Sequence, residues 1–177
     1  MIKARTDYIL REELSHLLAA LTPPNRLALE ISLATGLRIG DVLAMRSDQL
    51  RTANQRRFTV RQAKTGKNRR IQLPLELYNR ALALAGRCYV FEHRLDWRKH
   101  RTRQAVWADL KRIARMYRCK ANVAPHSARK VFAVDQYRKG GLKRTQELLG
   151  HSQEAVTVLY AMADELTARK LGQRPSP

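Results

Sequence analysis

The sequence predicts an α+β domain, mainly helical, with one small antiparallel β-hairpin. Three observations lead there. Apolar residues recur at helical spacing through most of the chain. The period switches to two in one place, around a short polar turn. The 177 residues, 44% of them hydrophobic, suit one core without an interdomain linker.

The elements follow in order. Residues 11–21 carry Leu14, Leu17, Leu18 and Leu21 on one helical face. Thr22 reads as an N-cap with Pro23 at the first helical position. The run from Leu27 to Ala34 is a more buried helix, and Gly36 ends it as a left-handed C-cap residue. A third helix starts near Ile39 and carries Val42, Leu43 and Met45. Residues 57–61 and 70–74 read as strands flanking Lys64-Thr65-Gly66-Lys67, a turn sequence. Helices resume over 75–85, 102–117 and 126–139, the last stopped by Gly140-Gly141. Short helices are expected over 143–149 and 153–160, with a final one over 164–171. Residues 173–177 read as a disordered tail.

Charge narrows the function. Lys and Arg total 35 against 15 Asp and Glu, a formal charge of +20. Such a balance implies a polyanionic partner. Residues 51–70 hold eight Lys or Arg and no acid, and residues 94–120 hold ten against two acids. As isolated surface residues these are ordinary solvated charges, and on the hairpin they blunt an edge strand. Together they favour a groove that tracks phosphates. A membrane surface fits less well, because the basic runs lack an apolar face with Trp or Phe opposite them. Two cysteines, Cys88 and Cys119, are too few for a disulfide framework. No apolar run approaches the roughly 20 residues of a membrane span, and no signal peptide is visible. A cytoplasmic setting is expected.

No phosphate-binding glycine loop and no metal-ligand cluster stand out. Neutralising a phosphodiester in the transition state then falls to the protein's own cations. Arg38 follows the Gly36-Leu37 helix stop. Lys64 sits in the hairpin turn. His126 and Arg129 are three apart on one helix, so both project from one side. His151 follows Leu148-Leu149-Gly150, and Tyr160 lies nine residues further on. Taken singly, each has a plain structural reading: a helix-end arginine, a turn lysine, a helix cap, a half-buried tyrosine.

Taken in order, they resemble a known pattern. Ala34-Thr35-Gly36-Leu37-Arg38-Ile39-Gly40-Asp41 resembles the first arginine box of the tyrosine recombinase (phage integrase) family. Lys64, His126-Ser127-Ala128-Arg129, Leu148-Leu149-Gly150-His151 and Tyr160 resemble its remaining boxes, over nearly the whole chain. The resemblance implies the catalytic-domain fold of DNA breaking-rejoining enzymes. It implies cleavage and rejoining of DNA through a 3′-phosphotyrosyl intermediate, without metal, ATP or other cofactor. Tyr160 would be the nucleophile and His126 the proton acceptor. Arg38, Arg129 and His151 would hold the phosphate, and Lys64 would protonate the leaving 5′ oxygen. Asp41 would orient the site. Lys67 competes with Lys64 for the proton-donor role.

The sequence departs from the family pattern at Ala128, Lys130 and Met162, where a larger apolar residue, a histidine and a histidine are common. Residues 1–172 are expected to be the catalytic domain alone, without the family's usual N-terminal helical domain. Arg57, Lys67, Arg69, Arg70, Arg98, Lys99, Arg101, Arg103 and Lys130 are expected to contact DNA phosphates. The expected partner is double-stranded DNA with inverted-repeat sites, bound by a chain that is monomeric when free and a dimer or tetramer on DNA. The setting is a bacterial or phage-encoded, nucleoid-associated enzyme. Two other readings share the basic groove: a non-catalytic DNA-binding regulator or prophage remnant, and a type IB topoisomerase-like relaxing enzyme.

Overall fold

A computed structural model of the chain describes residues 6–149. Its elements are α1 (Arg11–Ala19), α2 (Pro23–Thr35), α3 (Ile39–Leu43), α4 (Ser47–Arg51), β1 (Arg57–Arg61), β2 (Asn68–Gln72), α5 (Leu75–Leu84), α6 (Arg103–Met116) and α7 (Pro125–Leu149). The expected helices at 153–160 and 164–171 and the tail at 173–177 lie outside the described residues.

The centre of the fold is α2. It touches α1, α3, α5, α6 and α7, which explains why it is apolar on more than one side. Leu27, Ala28, Leu29 and Ile31 are buried along it. Gly36 ends it as the sequence predicts, with φ 68° and its N–H donating to the Ser32 carbonyl at 2.8 Å. Gly36 also meets α7 closely: a Cβ placed there would lie 2.4 Å from the Phe132 ring. The left-handed conformation and the missing side chain are therefore both required.

The start of α2 differs from expectation in one detail. Thr22 occupies the N-cap position and Pro23 follows it, but the Thr22 hydroxyl makes no cap hydrogen bond. It donates instead to Asp109 of α6, at 2.7 Å. The Thr22 N–H, Asn25 Nδ2 and an Arg112 guanidinium donate to the same carboxylate. Burial alone would raise the Asp109 pKa, but the bonds from Asn25, Thr22 and Arg112 outweigh it and hold the group at about 2. The folded value lies below the usual 3.8, so this contribution is complete above that pH. It is lost as pH falls through the folded value, and amounts to about 2 kcal/mol. Denaturant unfolding followed from pH 5 to pH 2 should show that loss, and Asp109→Asn should be less stable at neutral pH and lose less across the window.

The hairpin pairs Arg57 with Gln72, Phe58 with Ile71, Thr59 with Arg70, Val60 with Arg69 and Arg61 with Asn68. Strand β2 thus starts two residues earlier than the sequence suggests, because the turn closes inside it. Gln62 N–H donates to the Lys67 carbonyl, and Gly66 N–H to the Gln62 carbonyl. Helix α4 was not expected from the sequence. Five residues are too few to display a helical period, and only Ser47 and Leu50 of it are buried. At the other end, Gly140 and Gly141 interrupt α7, with Gly141 at φ 68°. The expected stop is therefore present as a break between two helical stretches.

Candidate active site

The site begins at the corner between α2 and α3. Leu37 is fully buried, and its carbonyl accepts from the Ser32 hydroxyl at 2.7 Å. This fixes the backbone immediately before Arg38, which is the N-cap residue of α3. Arg38 is half-buried, and its Nη1 is buried with no hydrogen-bond partner. A guanidinium nitrogen left so costs free energy unless something is to bind it.

Asp41, 2% exposed, lies in the first turn of α3. Its Oδ1 accepts the Ala63 N–H at 2.9 Å, so it ties the hairpin turn to the corner. Its Oδ2 has no partner. Lys64, the next residue, is exposed in that turn. Gln62, which nothing in the sequence singles out, is buried beneath it. Its Oε1 accepts from Thr65 Oγ1 at 3.0 Å, and its Nε2 is unpartnered.

Helix α7 supplies the opposite side. Arg129 is 2% exposed and donates to the Gly36 carbonyl and, at 2.9 Å, to the Leu149 carbonyl. His126, one turn earlier, keeps an exposed surface. Loss of hydration against the neighbouring protein, then the charges of Arg129, Arg38, Lys130 and Lys64, push His126 below the usual histidine range. Those cations come from α3, the hairpin and α7. Four residues separated by up to 92 positions in sequence thus act on one imidazole.

A depressed pKa leaves His126 neutral at pH 7 and able to accept a proton. In the free protein its ring should titrate below 6.5, as followed by NMR. Arg38→Ala or Lys64→Ala should each move the midpoint upward. An unchanged midpoint in both variants would separate these residues from the imidazole.

The expected phosphate contacts divide. Arg57, Lys67 and Arg70 are exposed on the hairpin. Arg69 is not with them: it lies on the inner face, opposite Val60, and donates to the Thr35 carbonyl. Burial, with the like charge of Arg38, lowers its pKa against the pull of Asp41. Arg103 is exposed in the first turn of α6, with its Cδ 3.3 Å from where a Cβ on Gly40 would lie. It therefore borders the corner that holds Arg38. Arg98 lies over the Trp97 ring and Lys99 pairs with Asp96. Arg101 donates to Asn25 at 2.6 Å, and Lys130 to the Thr6 carbonyl. His151 and Tyr160 lie outside the described residues. Among the described residues no group of His, Cys, Asp or Glu could hold a metal ion, and no helix is long and apolar enough to cross a membrane.

Comparison with known proteins is consistent across three kinds of likeness. Residues 7–166 match the model of the phage integrase family. Tyrosine recombinase XerD of Lacticaseibacillus casei is 32% identical over 151 residues, 77% of this chain and 49% of that one. The integrase of Escherichia phage P2 is 29% identical, over 90% of this chain and 44% of that one. A lambda integrase dimer bound to a COC′ core site superposes with a TM-score of 0.75 at 20% identity. It covers 91% of this chain and 49% of that one. The catalytic domain of bacteriophage HP1 integrase superposes with a TM-score of 0.66 at 21% identity, over 93% of both chains. The chain spans about half the length of the curated relatives it matches. The fold expected from the sequence is the one these structures share.

Proposed function

The chain belongs to the phage integrase family, and from that premise we propose that it carries the catalytic centre of a site-specific DNA recombinase. It cleaves one strand by transesterification and later rejoins it. The observation that carries this reading is that Asp41 ties the Lys64 turn to the corner holding Arg38 and that Arg129 reaches the same corner at the Gly36 carbonyl, with all three cations bearing on the His126 imidazole.

The chemistry proceeds from these residues. Arg38 and Arg129 grip the non-bridging oxygens of the scissile phosphate, a task suited to planar guanidinium forks. A tyrosine with a pKa of about 10 is almost wholly protonated at pH 7, so Tyr160 needs an acceptor. Neutral His126 takes its proton as the Tyr160 oxygen bonds to phosphorus. The bond from phosphorus to the 5′ oxygen breaks, and Lys64 gives that oxygen a proton. His151 adds a donor to the phosphate. One phosphoester is exchanged for another, so ATP need not enter, and the cations in the site carry the charge without a metal. Rejoining is the reverse.

The substrate in this reading is double-stranded DNA with inverted-repeat sites, one protomer on each arm, in dimers or tetramers that form on the DNA from free monomers. Arg57, Lys67, Arg70 and Arg103 track the backbone, and the setting is the nucleoid of a bacterial cytoplasm. The test uses a nicked duplex carrying a site enriched from random DNA by binding to this chain. A denaturing gel should reveal a covalent adduct with a free 5′-hydroxyl on the released strand. Peptide mass spectrometry should place the nucleotide on Tyr160. Tight binding without any adduct would point to the non-catalytic regulator instead.

A further inference from the structure

Strand alternation puts Arg69 on the apolar side of the hairpin, with Phe58, Val60 and Ile71. A charged side chain on that face must be held by polar partners. Its Nη2 donates to the carbonyl of Thr35, the last residue of α2. That carbonyl is one of the helix-end acceptors with no partner inside the helix. The next one, of Gly36, is taken by Arg129. Two arginines from opposite sides thus close the end of α2, where the helix dipole is negative.

A second tie lies nearby. Ala63 N–H donates to Asp41, so strand β2 and the turn are each fastened once to the α2–α3 corner. Lys64 extends from the turn between the two ties, and Arg38 extends from the corner itself. Arg69 Nη1 and Asp41 Oδ2 are both buried without a hydrogen-bond partner. Their opposite charges attract each other.

We propose that Arg69 is a positioning residue: it braces the hairpin against the α2–α3 corner and so sets where Lys64 meets the phosphate held by Arg38. The inference rests on the reading of Lys64 as proton donor to the leaving 5′ oxygen. Arg69 does not touch the phosphate. It acts through the carbonyl of Thr35 and through Asp41, and lysine cannot replace it, because one ammonium does not spread over two separated partners.

The chemistry of the leaving group supplies the test. Two nicked duplexes carry the same site, one with the natural 5′ oxygen at the scissile bond and one with sulfur in that bridging position. A thiolate leaves without a proton, since thiols have a pKa of about 8.5. On the oxygen substrate Arg69→Ala and Arg69→Lys should slow adduct formation about 10- to 100-fold. That is at or below the range of about 10²–10⁴ for a general acid itself. On the sulfur substrate both should return to within about threefold of the unaltered chain, as should Lys64→Ala, on the same general-acid logic. Arg38→Ala should stay slow on both. Where the alanine variant fails to fold by near-UV circular dichroism, Arg69→Gln is scored in its place. Equal slowing on both substrates, or no slowing on oxygen, overturns the role of Arg69 alone. No adduct from the unaltered chain on either substrate overturns the functional reading and this inference together.

Discussion

Tyr160→Phe is expected to abolish the covalent adduct while leaving DNA affinity within about twofold. The argument is one of atoms. In the proposed mechanism the substitution removes the oxygen that would bond to phosphorus and little else. Affinity comes mainly from phosphate contacts by Lys and Arg, and one phenolic oxygen adds little to that sum. The measurement pairs a denaturing gel with a salt-matched binding titration. An adduct that persists would remove Tyr160 as nucleophile. Loss of binding in parallel would mean that residue 160 shapes the DNA surface rather than the reaction.

Arg129→Ala is expected to lose activity and stability together. In the proposed mechanism Arg129 donates to the phosphate, and removing such a donor costs about 10²–10³ in rate. The structure adds a second cost. Arg129 is almost fully buried, and its guanidinium satisfies the carbonyls of Gly36 and Leu149. Leaving buried acceptors unpaired costs about 1–3 kcal/mol each, and the vacated volume adds to that. Denaturant unfolding should show a loss of about 3–5 kcal/mol, to be read beside the adduct rate. Arg38→Ala is the contrast. Arg38 is half-exposed and one of its nitrogens has no partner. It should lose a similar factor in rate with stability changed by less than about 1 kcal/mol. If Arg129→Ala proves as stable as Arg38→Ala, the two carbonyl bonds do not hold the site together.

Much of this was legible in the sequence because the signals are local. Gly36 and Gly140-Gly141 mark helix ends by their own backbone freedom. The hairpin announces itself by a change of period, and His126 and Arg129 by helical spacing. The parts that were not legible depend on partners distant in the chain. Helix α4 is too short to carry a period, and its position comes from the packing of Leu50. The Thr22 hydroxyl turns from its own helix to Asp109, 87 residues away. Gln62 is a polar residue in a turn until the fold buries it. Arg69 is the instructive case. Composition places it among eight basic residues read as one outward-facing set. The register that pairs it with Val60 turns it inward, and its two-residue offset from Ile71 was the signal available for that. The burial of Arg129 has a similar origin: helical spacing sets it beside His126, but only the contact of α7 with α2 decides which of the two is covered.

The Gly36 position has a consequence for how such a protein would look to a genetic screen. Its carbonyl serves Arg129, its φ is 68°, and the Phe132 ring fills the space where a side chain would begin. Any replacement strains the backbone and collides with α7, at about 2–4 kcal/mol for alanine. A mutational scan scored only by the proposed activity would therefore rank residue 36 with residues 38 and 129. An observer without the coordinates would count Gly36, which has no side chain at all, among the residues that do the chemistry. Scoring the same library for abundance as well as activity would separate Gly36 from Arg38: Gly36 variants would disappear from the cell, whereas Arg38 variants would accumulate as inert protein.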